Sequence, residues 1–147
     1  MNPNLQVVEL ALFMGYRCMQ RKGDTGQWLF KADSQPRQDG RIWLLERVVG
    51  EFEPAKVIDK SSLAYPNRDV SWSFGSIPHP DYLNDLNEMH KVAMKLKADS
   101  RYQYALYLSH LDNLVQLAND DSHLEDADAP QRAKAVLKTI NKWTNDD

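Results

Sequence analysis

A single cysteine, Cys18, stands in 147 residues, so the chain holds neither an internal disulfide nor a multi-cysteine zinc site. A lone thiol of this kind suits a reducing compartment. Glycine is also scarce: the six present fit neither G-x-G-x-x-G nor G-x-x-x-x-G-K-[ST], which removes the usual phosphate-cradling loops. Long apolar runs are missing. Leu5 to Met14, interrupted by Gln6 and Glu9, is too short for a membrane span, and it lacks the basic leader and cleavage site of a signal peptide. The cytoplasm is the expected compartment. No H-x-x-x-H or H-E-x-x-H spacing occurs, and the acidic stretch from Asp120 to Asp128 has no glycine for an EF-hand turn. Neither a metal nor a cofactor is expected. A net charge of −3 argues against a protein devoted to neutralising nucleic-acid phosphates.

What is present is an ordinary soluble composition, 42% hydrophobic and 27% charged, in a length that fits one domain. The strongest periodicity lies between Pro80 and Lys97. Tyr82, Leu86, Met89, Ala93 and Leu96 recur at helical spacing, Asp81 stands at the N-cap position, and lysines gather toward the C-terminal end. Residues 4–14 read as a first helix capped by Asn4, ended by Gly15 and apolar around most of its circumference. Residues 99–118 read as a third, with Tyr102, Ala105, Leu108, Leu111, Val115 and Ala118 as its inner stripe. A fourth begins at Pro130, with Ala133, Val136, Leu137, Ile140 and Trp143 inward and Arg132, Lys134, Lys138 and Lys142 in water. Residues 119–129 make an acidic linker and 144–147 a frayed tail.

Between the first two helices the period changes from 3.6 toward 2. Tyr16 to Ala32 reads as two short strands around the turn GDTG, with Trp28, Phe30 and Ala32 on one face. Residues 33–41 are loop by composition. IWLLERVV (42–49) suits either period, and its brevity and flanking glycines favour a strand. Residues 50–80, with four prolines, read as a long ordered loop holding one more strand at 70–74. The fold class that follows is α+β: a small, mostly antiparallel sheet packed by three or four helices in one layered domain.

Candidate chemistry is sparse. His90 lies at the edge of the 81–97 helix near Asp85 and Glu88, an arrangement that could serve as a base or ligand, but a boundary histidine bonded to a neighbouring element explains it better. Cys18 falls mid-strand with no base beside it, which suits inert packing. Arg17, Arg21, Lys22, Trp28, Phe30 and Lys31 would give a basic, aromatic hairpin of the kind that holds single-stranded nucleic acid; the simpler reading makes the aromatics the core face of the sheet. In the Pro-rich segment 64–80, Tyr65, Arg68, Trp72, Phe74 and Ile77 combine the residue types that dominate protein-binding surfaces. There the alternative, a loop pinned over the sheet, weighs the same.

Two strings also carry a resemblance. Tyr82 to His90 follows Y-x-x-D-L-N-x-M-H, and Gln131 to Trp143 follows Q-R-A-x-A-x-L-x-T-I-x-K-W. Together with Met14, Gly15 and Tyr16 after the first helix, these resemble small proteins of tailed phages and prophages with an α-β-α sandwich domain. The matching residues span about a third of the chain and bring no catalytic residue with them. The resemblance implies a phage origin, a layered α/β architecture and the host-cell cytoplasm. With no catalytic constellation in view, the expected function is that of a non-enzymatic phage accessory protein that binds a host or phage macromolecule, such as a component of a host defence. A protein that sequesters a small ligand or nucleotide, and a weak single-strand binder, are the alternatives.

Overall fold

The computed structural model describes residues 1–21, 23, 26–30, 41–44, 47–60, 63, 81–118 and 123–145, and of residues 21, 30, 41–44 and 47–52 the backbone alone. Among these residues it is an α+β structure with four α-helices and an antiparallel sheet. The chain divides into two compact units, Ala11–His79 and Met1–Leu10 with Pro80–Asp147.

Helix α1 (Pro3–Phe13) opens the chain. Its cap is Asn2 rather than Asn4, since the Asn4 amide donates to Asn2 Oδ1 at 2.7 Å and Pro3 takes the first helical position, where its missing N–H costs nothing. Val8, Glu9, Leu10 and Ala11 are buried in succession, which only a helix covered on several sides allows. It ends as expected at Gly15, whose φ of 94° permits two closing bonds: the Gly15 amide donates to the Leu12 carbonyl, and the Tyr16 amide to that of Ala11.

Among the described residues the sheet unit holds four strands, β1 (Arg17–Arg21), β2 (Gln27–Phe30), β3 (Arg41–Leu44) and β4 (Arg47–Pro54), in the order β2-β1-β4-β3. β1 and β2 pair with Cys18 opposite Leu29 and Met19 opposite Trp28. The first hairpin is thus where the alternation places it. The run 42–49 is strand, as favoured, but it is two strands. Leu44 pairs with Arg47 across residues 45 and 46, which lie outside the described residues, and the register shifts between Ile42 and Trp43. β4 then runs on to Pro54, into what reads as loop, because its far end pairs with β1 from Arg21↔Phe52 to Met19↔Pro54. Of the expected loop 33–41, Arg41 is instead the first residue of β3, paired with Glu51, while residues 33–40 and the expected strand 70–74 lie outside the described residues.

Leu29 and Met19 are fully buried on opposite faces of this pairing, so both faces of the hairpin are covered. The mixed face proves the drier at β2. Gln27 and Leu29 are buried, whereas Trp28 is half-buried. Gln27 tolerates burial because both ends of its amide are used: Nε2 donates to the Lys56 carbonyl at 2.7 Å, and Oε1 accepts from the Ile58 amide at 3.0 Å. One side chain thereby prolongs the ladder along the segment after β4.

In the helical unit α2 (Leu86–Asp99), α3 (Arg101–Ala118) and α4 (Ala129–Thr139) pack on one another. α2 begins four residues later than its periodicity implies. Asp81 closes a single turn, accepting from Asn84 Nδ2 at 3.0 Å, and Asp85 is the N-cap, its Oδ1 accepting from the Asn87 amide at 2.9 Å. Tyr82, Met89, Val92, Ala93 and Leu96 are core, but Leu86, counted in the inner stripe, is 52% exposed. It sits in the first turn, about 60° round the helix from Met89 and away from Val92.

α3 is helical throughout its expected length, but its stripe is displaced. Tyr107, Leu111 and Val115 are buried; Tyr102, Ala105 and Ala118 are exposed. No loop separates it from α2. The Ser100 amide donates to the Leu96 carbonyl at 3.0 Å, closing α2, while Ser100 Oγ accepts from the Gln103 amide at 3.2 Å, opening α3.

The acidic linker is partly structured. Residues 119–122 lie outside the described residues, but Leu124–Asp126 forms a 3₁₀ turn in which Asp126 Oδ2 accepts from the His123 amide at 2.8 Å. Asp128 then caps α4. The helix ends at Thr139, not Trp143, because Asn141 adopts a left-handed φ of 61° and the Lys142 amide folds back onto the Leu137 carbonyl at 2.8 Å. Ile140 and Trp143 are consequently half-buried, and Ala135 and Thr139 join Ala133, Val136 and Leu137 in the core. Arg132 is not in water either: its Nε donates to the Ala127 carbonyl at 3.0 Å.

Candidate functional site

The Pro-rich group Tyr65, Arg68, Trp72, Phe74 and Ile77 lies outside the described residues, as do Lys22 and Lys31 of the basic hairpin, and the side chains of Arg21 and Phe30. Of that hairpin, Arg17 is exposed and Trp28 half-buried, and the register puts them on the same face as diagonal neighbours. Among the described side chains of the hairpin, these two are one cation and one ring face.

The acid–base candidates on α2 are already occupied. Asp85 is tied to the helix start, and Glu88 Oε1 accepts from Lys91 Nζ at 3.0 Å. His90 projects outward between exposed Leu86 and Met94 on one flank of the helix. Cys18 is free and buried, and burial pushes its thiol pKa up, the reverse of what a nucleophile needs. Among the described residues no group of three His, Cys, Asp or Glu side chains could hold a metal ion, and no helix is long and apolar enough to cross a membrane.

The structure brings together a different set. Because the buried stripe of α3 runs through Tyr107, Leu111 and Val115, another stripe of the same helix is left uncovered: Tyr102, Leu106, Asn113 and Leu117 at i, i+4, i+11 and i+15. Tyr102 is 74% exposed and Leu117 is 84% exposed, with Leu106 half-buried between them. The stripe runs for about 22 Å. At its C-terminal end an open groove of ≈ 600 Å³ is lined by Asn113, Gln116, Leu117 and Lys138, the last from the final turn of α4. Gln116 is held in place by Asp112, whose Oδ1 and Oδ2 each accept from its Nε2 at 3.2 Å. This set offers amide donors and acceptors, an apolar wall and one cation, with no nucleophile.

The sequence pattern hides both Tyr102 and Leu117, since Tyr102 counts in the inner stripe and Leu117 falls in no stripe at all. The available signal is excess: Tyr102, Tyr104, Leu106, Tyr107 and Leu108 occupy more of the circumference than one buried face needs. Among known proteins, no family model, no curated protein and no solved structure matches the chain.

Proposed function

We propose that this is a non-catalytic binding protein of phage origin, acting in the host-cell cytoplasm by engaging a segment of a host or phage protein. The uncovered stripe of α3 carries this reading, with tyrosine and leucine presented at its two ends and a groove beside the second. Single exposed apolar side chains are common on protein surfaces. Two of them aligned along one helix face, with a half-buried leucine between, form the kind of surface on which a partner's side chains are anchored. A small ligand is favoured less, since such sites bury most of the ligand surface and this groove is open along its length. The phage origin rests on the resemblance of Tyr82–His90 and Gln131–Trp143.

The test is site-specific. A photo-crosslinking residue at Leu117, and separately at Tyr102, should give the same discrete adduct in phage-infected cells, and the partner so identified should bind the purified chain. Leu117→Glu should weaken that binding while Ile58→Glu, at an exposed position of the sheet unit, leaves it intact. Turnover of a nucleotide or nucleic acid by the purified protein, abolished by His90→Ala or Asp85→Asn, would overturn the reading.

A further inference from the structure

Among the described residues, the carboxylates of the helical unit are almost all committed. Asp81, Asp85, Asp126 and Asp128 close turns or cap helices; Glu88 and Asp99 pair with Lys91 and Lys95; Asp112 holds Gln116. Of the acidic side chains described between Asp81 and Asp128, only Glu125 has no such bond. The cations are distributed otherwise. Lys134 lies over the Trp143 ring at 4.8 Å, and neither Lys134, Lys138 nor Lys142 has a carboxylate within ion-pair distance among the described residues. Lys138 lines the groove. Its place in the last turn of α4 suits the helix dipole, but that interaction leaves its three N–H donors unused.

Resting on the binding reading above, we propose that the groove at the end of α3 takes an acidic segment of its partner. A carboxylate would meet Lys138, an adjacent apolar side chain would cover Leu117, and the carboxamides of Asn113 and Gln116 would bond the segment's backbone. A phosphodiester chain could use the lysine but has nothing to set against Leu117 beyond its bases.

The probe is a synthetic peptide of about fifteen residues, matched to the length of the stripe, with Leu and Glu at helical spacing. Counterparts carry Gln or Lys in place of each Glu. Titrated into the isotope-labelled full chain, the Glu peptide should shift the amide resonances of Asn113, Gln116, Leu117 and Lys138. The Gln peptide should bind more weakly by up to about fivefold for each ion pair lost, the upper range for exposed pairs. Lys138→Glu should reverse the order of the Glu and Lys peptides, and Lys138→Gln should level it. Equal binding of Glu and Gln peptides, shifts elsewhere on the unit, or displacement of the Glu peptide by oligo-thymidine would each overturn the proposal. If the crosslinked partner depends on Leu117 but responds neither to Lys138→Glu nor to salt, the binding reading stands and the acidic preference falls.

Discussion

Asp128 and Gln131 each satisfy an amide of the other: Asp128 Oδ1 accepts from the Gln131 amide at 2.9 Å, and Gln131 Oε1 from the Asp128 amide at 3.0 Å. This reciprocal cap starts α4, whose Ala133, Val136 and Leu137 are wholly buried. Asp128→Ala should therefore lower stability by about 1 kcal/mol, read as a shift in urea midpoint at unchanged slope. Asp128→Asn should keep most of it.

On α2 the exposure pattern separates two leucines. Leu96→Ala should cost about 2–5 kcal/mol, because Leu96 is fully buried. Leu86→Ala should stay within about 0.5 kcal/mol in denaturant titrations. Equal losses would mean that the N-terminal turn of α2 is packed in solution.

Tyr107 is 2% exposed, and its hydroxyl has no hydrogen-bond partner among the described residues. Burial raises its pKa, and the nearby Arg132 charge opposes this, but the Arg132 donors resolved in the structure go to the Ala127 and Leu124 carbonyls. Tyr107→Phe removes only the unpaired oxygen. Its expected effect is no loss, or a gain of about 1 kcal/mol, in thermal or chemical denaturation.

The buried Cys18 thiol makes stability fall in alkali. Its pKa in the fold lies above the ordinary thiol value that the unfolded chain shows. The benefit is complete below that value. As pH rises beyond it the unfolded chain gives up a proton that the native state keeps, and stability declines until the native thiol ionises as well. Cys18→Ala should flatten the decline measured from pH 8 to 10.5, by about as much as one proton of linkage accounts for.

Gln27 offers a local measurement. Gln27→Ala strips the bonds from the Lys56 carbonyl and the Ile58 amide, at a cost of about 1–3 kcal/mol if water does not replace them. Faster hydrogen exchange of the Ile58 amide, with the β1–β2 amides unchanged, would locate the effect.

Much of the architecture is legible in the residues, and the departures have separate causes. Helix existence follows from period and propensity, and so do the strands of the first hairpin. Helix phase does not: α3 carries tyrosines and leucines on so many sides that Tyr102–Leu108–Leu111 and Tyr107–Leu111–Val115 serve equally well until α2 and α4 select one. Ends depend on single residues. Asp81 and Asp85 are equally good caps in sequence, and Asn141 ends α4 by adopting a conformation most side chains avoid. The paired ends of β3 and β4 are joined in sequence by Leu45 and Glu46, with none of the Gly or Asn that announces a hairpin. The uncovered stripe of α3 was hidden for the same reason as the helix phase: a residue on the wrong face of an amphipathic pattern looks identical to one on the right face.

Ser100 has a wider consequence. Since it both closes α2 and opens α3, the joint contains no slack to absorb a change in length. One inserted residue would turn everything after it by about 100° about the helix axis, carrying Tyr107 outward and presenting a different row to solvent. Point substitutions to Asp, Asn or Thr would leave that phase intact. The joint thus behaves as an indexing pin: the row of α3 that meets a partner is set by residue count at one position, and hardly by side-chain identity there.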